Sequence, residues 1–453
     1  MNPNTDEKDT STPVTSPGVL KAVKYTQPVK KFIAKIVSGS FPLFFAAILA
    51  IAWANISRHT YHDVWYTHIS ISLGKFSISK PLAHWIDEAL MALFFFTVGL
   101  EIKREVIVGE LASFKKALLP VTAAAGGMLI PALIYVAINL NSDSLSGWGI
   151  PMATDIAFSL AVLSILGKRI PFGIYVFLSA FAIADDLGAV LVIALFYTKA
   201  IAWKYLLLSL LFLFLMAICN LLWIRVTLVY AVLGIGLWFA ILGSGIHATV
   251  AGVLTAMFIP ARGKYDTQTF INKVQRYIHE FNCQGEYECG YTILLNKNHQ
   301  NAVHHIDMAC EEVKTPLQKL EWNLNPWVAY LILPLFALAN SGIVFRDLNF
   351  GESLSHPVTL GVLLGLIVGK PVGISLFTFL SVKLLKTELY TGITWQHILG
   401  ASMLGGIGFT MSIFITGLSF ENAAYTELSK LGIIFASLVS GGVGFFILRS
   451  ASK

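Results

Sequence analysis

Charge is scarce in this chain: Asp, Glu, Lys and Arg make up 13% of its 453 residues, about half the share of an ordinary soluble domain. So few charges cannot cover the water-facing surface of a chain this long, which excludes a cytosolic enzyme and a nucleic-acid binder. Cysteine is also rare, at four residues, and that excludes a disulfide-stapled secreted fold. Hydrophobic residues fill the space, at 56% of the chain and a mean hydropathy of +0.70. The chain reads as a polytopic membrane protein. Its net charge of +6 then records how loops are distributed across a membrane rather than an acidic partner.

The first thirty or so residues are polar, with Asp6, Glu7, Lys8 and Asp9 near the start. They lack the basic start and short apolar core of a secretory signal and read as a cytoplasmic tail, residues 1–38. Beyond it, apolar runs of about 17 to 25 residues recur, long enough to cross a hydrocarbon core of about 30 Å. They predict twelve helices, near 39–57, 82–102, 117–140, 147–166, 171–198, 203–223, 226–243, 246–260, 326–345, 357–381, 395–418 and 428–448. The layout is a first block of eight helices in 39–263, an insert over 264–321, four more helices in 326–448 and a short C-terminus, 449–453. In lipid only structures that satisfy their own backbone are viable, so the fold class is all-α. An even number of spans places both termini on one side. Lys and Arg on that side number 24 against 7 on the other, so both termini are expected in the cytoplasm.

Two loops have a pattern of their own. Between the first two spans, His68 to Lys80 alternates apolar and polar residues around Gly74, the period of a β-hairpin. A lone hairpin is marginal in water, so the segment 67–80 is expected to pair with a second copy in a homodimer. The insert carries 14 charges in 58 residues, three of the four cysteines (Cys283, Cys289 and Cys310) and four histidines, His279, His299, His304 and His305. Thiolate and imidazole are zinc ligands, yet no CxxC pair occurs here. A helical or partly disordered regulatory insert is the reading preferred.

A charged side chain at the centre of a bilayer costs several kcal/mol and marks function by default. Four survive that filter: Asp155, the doublet Asp185-Asp186, and Lys370. Three acids and one base favour a small hard cation, for which carboxylate oxygens are the usual ligands. Neighbours in a helix point about 100° apart, so the doublet cannot act as one clamp. One aspartate is expected to line an ion path and the other to meet a neighbouring helix, with Lys370 the available base. Two spans also carry backbone breakers. Pro151 precedes Thr154 and Asp155, both good helix caps, and Gly405, Gly406 and Gly408 cluster in the eleventh span, where glycine unwinds a helix readily. Each would be the middle helix of a three-helix unit, spans 3–5 and 10–12. Interrupted helices in corresponding positions of two repeats point to a transporter's binding site. If the broken helices cross, Asp155 suits the positive half-helix ends and Lys370 the negative ones.

The strings Val98-Gly-Leu-Glu101-Ile-Lys-Arg-Glu105, Ala153-Thr-Asp155-Ile-Ala-Phe158, Ala184-Asp-Asp186-Leu-Gly188, Gly245-Ile-His247-Ala-Thr249, Gly369-Lys-Pro371 and Gly406-Ile-Gly-Phe-Thr-Met-Ser412 together resemble the bacterial NhaA sodium/proton antiporters, a family of inverted-repeat transporters. The resemblance implies a multi-pass protein of the bacterial inner membrane with discontinuous helices 4 and 11. It implies electrogenic exchange of sodium or lithium for protons, by alternating access and without a cofactor. By the same resemblance Asp185 and Asp186 look like the ion-binding carboxylates, Thr154 and Asp155 like the broken-helix residues beside them, and Lys370 like the lysine paired with Asp185. Glu101, Glu105, His247 and Glu321 match positions tied to a cytoplasmic pH response, and Asp87 an acid on the ion path. The insert is the departure from shorter relatives. Two rival readings are a sodium-coupled solute symporter and an intramembrane aspartyl protease, although the Gly-x-Gly-Asp motif of the latter is absent.

Overall fold

The computed structural model describes residues 40–73, 76–198, 201–279, 297–345, 349–390 and 392–451. Cys283 and Cys289 lie outside the described residues. Helices dominate: α1 Ser40–Ile56, α2 Arg58–Tyr66, α3 Met91–Val108, α4 Phe114–Asn139, α5 Ile156–Leu166, α6 Phe172–Phe196, α7 Trp203–Leu221, α8 Thr227–Ser244 and α9 Thr249–Phe258. They continue with α10 Thr267–His279, α11 Lys297–Val313, α12 Pro316–Asn340, α13 Pro357–Leu384, α14 Trp395–Gly405, α15 Phe409–Ser419 and α16 Ala423–Ala451. Eight of the described helices are long and apolar enough to cross a membrane, or up to ten if each bent pair counts as one span. The chain is therefore an all-α polytopic membrane protein.

The connections define two faces. At one, the antiparallel strands β1 (His68–Leu73) and β2 (Phe76–Pro81) pair from His68 with Pro81 to Leu73 with Phe76. Tyr61 donates to the Leu338 carbonyl nearby, at 2.9 Å, and Ser146 to the Ser419 carbonyl at 3.0 Å. At the other, Lys103 donates to the carbonyl of Met257 at 2.6 Å and the Lys264 ammonium meets Glu312 at 2.6 Å. We call these the strand face and the insert face.

Several boundaries differ from the sequence expectation. The ninth span begins at Pro316, ten residues before the apolar run. Thr315 caps it by accepting from the Gln318 amide at 3.1 Å, while the Gln318 side chain accepts from the Thr315 amide at 3.3 Å. A capping box starts a helix wherever its two residues sit, regardless of hydropathy, so Glu321 belongs to a transmembrane helix and not to the insert. The first span ends in a turn of 118° into α2. The eighth is short, ten residues.

The central crossing of α4 and α13 depends on glycine. A Cβ on Gly126 would fall inside the envelope of the Gly373 carbonyl oxygen, and one on Gly373 would overlap the Gly126 carbonyl. Small residues let helix backbones touch in a membrane, where apolar side chains gain little by leaving lipid. Gly126→Ala or Gly373→Ala is expected to cost about 1–3 kcal/mol by overpacking, read as a lower unfolding temperature in detergent. Gly442→Ala, which faces open space, should leave that temperature unchanged.

Candidate functional site

Two helices break at the same depth and cross. In one span a 3-10 helix, Asp143–Met152, gives way to extended backbone at Ala153 and resumes as α5 with Asp155 as its cap. In the other, α14 stops at Gly405 and α15 restarts at Phe409, bent by 43°. The freed backbone groups are satisfied across the crossing by backbone and hydroxyl partners. The Asp155 amide donates to the Ile407 carbonyl at 2.7 Å, the Thr154 hydroxyl to the Gly405 carbonyl at 2.9 Å, and the Ser412 hydroxyl to the Ile150 carbonyl at 2.8 Å. Irregular backbone survives at membrane depth only when it is paired in this way.

The charges follow the half-helix ends. The Asp155 carboxylate accepts from the Phe158 amide at 3.1 Å and from the Thr410 amide at 3.0 Å, with the Thr410 hydroxyl as a further donor. One negative group thus caps the N-termini of both α5 and α15, where the partial charge is positive. The Lys370 ammonium donates to the Met152 carbonyl, the C-terminal end of the 3-10 segment, and to Asp185 Oδ2 at 2.7 Å. Lys370 and Asp185 are both fully buried.

Asp185 and Asp186 differ as neighbours on a helix must. Asp185 turns toward α13, and its second oxygen, Oδ1, is buried without a hydrogen-bond partner among the described residues, close to Thr154. Asp186 faces the other way, into a cavity of about 210 Å³ that it shares with Asp155, Thr410, Glu101 and Asn325. That cavity runs between α3 and α12, from the crossing toward Glu101 in the insert-face half of α3. A larger cavity, about 500 Å³ between α3, α8 and α9, is lined almost wholly by apolar side chains and holds no carboxylate. Chemistry rather than volume therefore selects the smaller one. A carboxylate with a free oxygen, a second carboxylate open to a cavity and a threonine hydroxyl form an oxygen set suited to a hard cation.

The other expected residues separate into two groups. Glu101, Glu105 and Glu321 gather at the insert face around Arg104, which pairs with the buried Glu321 and lies 3.2 Å from Glu105. His247 is not with them, contrary to the cytoplasmic grouping that the resemblance implies. It precedes α9 at the strand face, with Nε2 3.0 Å from the Tyr197 carbonyl and Nδ1 3.9 Å from Glu88. The whole length of α9 lies between it and the insert face. Asp87 also lies at the strand face and accepts from Asn340 at 2.8 Å. Sequence reasoning passed over Arg104, Glu88 and Thr410. Arg104 looked like one more loop cation, and Thr410 could have been found in Phe409-Thr-Met-Ser412, the string that follows the glycine cluster.

The family model for Na+/H+ antiporter 1 matches residues 30–448. The chain belongs to the NhaA family of sodium/proton antiporters. The NhaA 1 antiporter of Saccharophagus degradans is 45% identical over 94% of this chain and 92% of its own length. NhaA proteins of Oleidesulfovibrio alaskensis and of Helicobacter pylori strain J99 are 43% and 45% identical, over 94% of this chain and 94% and 96% of theirs. Members of the NhaA family are secondary transporters rather than enzymes and need no cofactor, the ions being substrates.

Proposed function

We propose that this protein expels sodium, or lithium, from the bacterial cytoplasm in exchange for external protons, in an electrogenic and pH-regulated cycle of alternating access. The observation that carries the reading is the division of labour in the aspartate doublet. Asp186 opens onto the cavity, and Asp185 is held by Lys370 with one oxygen left over. Burial favours the protonated carboxylate and a bound cation favours the ionised one, so sodium and protons compete for the same oxygens. When sodium reaches Asp186 and the spare oxygen of Asp185, protons leave. When sodium departs, one proton returns to Asp186 and one to the Lys370 amine, whose ammonium again holds Asp185. Two proton-carrying groups, the Asp186 carboxyl and the Lys370 ammonium, serving one monovalent ion allow more protons than sodium per cycle, which makes exchange sensitive to voltage.

In this reading twelve spans, with inverted repeats in spans 3–5 and 10–12, place the insert face and both termini in the cytoplasm. The cavity is then open inward, and rocking of the broken-helix bundle against the other helices opens it outward. Glu101, Glu105 and Glu321 with Arg104 set the pH response at the inner mouth, while Asp87 and His247 act at the outer end of the path. The strands of segment 67–80 join two copies, because an isolated two-stranded ladder needs a further surface. Deleting them is expected to convert dimers to monomers in detergent, read by light scattering.

The deciding experiment uses purified protein in vesicles holding a preset pH gradient. Adding sodium or lithium should collapse the gradient, faster when a membrane potential that draws the net charge in the driving direction is imposed, and with a rate that varies across a pH series. Potassium should do nothing. A gradient indifferent to sodium at every pH would overturn the proposal.

A further inference from the structure

A second polar cavity lies at the insert face, between the end of α5 and the last turns of α16. It measures about 340 Å³ and is lined by Ile165, Leu166, Arg169, Phe445 and Arg449. None of these residues borders the cavity at Asp186. Arg169 closes the short 3-10 turn Gly167–Arg169 that follows α5, and Arg449 sits in the last turn of α16. A cation at each helix C-terminus is ordinary. Two guanidinium groups brought to one cavity with no carboxylate in its wall are not, since like charges that share a space repel. Each guanidinium is a planar fork of donors matched to phosphate oxygens. The remaining wall is apolar, with Ile165 71% exposed.

We propose that this cavity binds the phosphate of an anionic phospholipid headgroup, held by Arg169 and Arg449, with the glycerol end of an acyl chain against Ile165 and Phe445. The inference rests on the chain spanning a bilayer. It gains from the proposed orientation, in which this face meets the cytoplasmic leaflet, where basic pockets between helices take anionic headgroups. The volume falls near the lower end of the range for small-molecule sites, about 300–1,000 Å³. The site has a structural consequence. α5 is the half-helix capped by Asp155, and its far end meets α16 here, so a headgroup bound to both arginines ties the outer end of a broken helix to its neighbour.

The test is thermal unfolding of the full chain in detergent, titrated with phosphatidylglycerol, phosphatidylcholine or inorganic phosphate. Phosphatidylglycerol is expected to raise the unfolding temperature saturably and phosphatidylcholine to leave it unchanged. Arg169→Gln with Arg449→Gln should weaken the apparent affinity for phosphatidylglycerol by about 30-fold. Arg169→Lys with Arg449→Lys should retain part of it, because the charge stays while the fork is lost. Lys383→Gln with Lys386→Gln removes two cations near the insert-face end of α13 but outside this cavity, and should respond like the unmodified protein. An unchanged response in the arginine-to-glutamine pair, or an equal loss in the lysine pair, overturns the proposal. Equal stabilisation by millimolar inorganic phosphate overturns the lipid as its source. The readout is lipid binding and not transport, so a failure of the antiport mechanism would leave this result standing.

Discussion

Asp186→Asn is expected to reduce sodium-induced proton release to background while leaving the unfolding temperature in detergent close to its original value. The carboxylate accepts no hydrogen bond from the described residues and opens onto a cavity, so an amide of the same shape fits without orphaning a donor. What disappears is the attraction for the ion. At about 4 Å and an effective dielectric near 20, one carboxylate contributes about 4 kcal/mol to holding a monovalent cation, close to a thousandfold in affinity. The pairing of lost exchange with retained stability separates an ion ligand from a structural acid. Exchange above a tenth of the original rate in Asp186→Asn would remove this residue from the ion path.

Lys370→Met should do the reverse: the protein becomes markedly less stable. Removing one partner of a buried ion pair leaves the other charged without compensation, at about 3–5 kcal/mol. Here it also strips the Met152 carbonyl of its donor. The unfolding temperature in detergent is expected to fall, and to recover in large part in Lys370→Met with Asp185→Asn, where no lone charge remains. Transport should be absent in the double variant, since the Asp185 oxygens that would meet sodium are then neutral. A single variant as stable as the original protein would show that Lys370 is neutral or already solvated in the resting state.

The site was largely legible in the sequence, for a reason particular to membranes. In a soluble protein, four charged residues among many carry no information. In mid-span they are conspicuous because lipid offers no solvation, and Asp155, Asp185, Asp186 and Lys370 all stand at the crossing. Glycine and proline in otherwise apolar runs marked the two breaks on the same grounds. Position along the membrane normal was less legible. His247 shares short motifs with the family just as Glu101 does, but a motif does not say at which end of its helix a residue emerges. Glu321 looked like the edge of an insert because the hydropathy there is low, whereas the helix start depends on two polar side chains, Thr315 and Gln318.

By itself the sequence determined that the chain lives in a bilayer, that it crosses many times as helices, and which few charges are too expensive to be incidental. These properties follow from transfer free energies, which are additive along a segment and indifferent to its neighbours. The tertiary structure decided which aspartate faces Lys370 and which faces the cavity, that Asp155 caps two half-helices at once, and that two arginines 280 positions apart share a cavity. Those outcomes depend on the rotation and crossing of packed helices. Rotation is set by contacts such as Gly126 against Gly373, between residues far apart in the chain, and no local pattern encodes them.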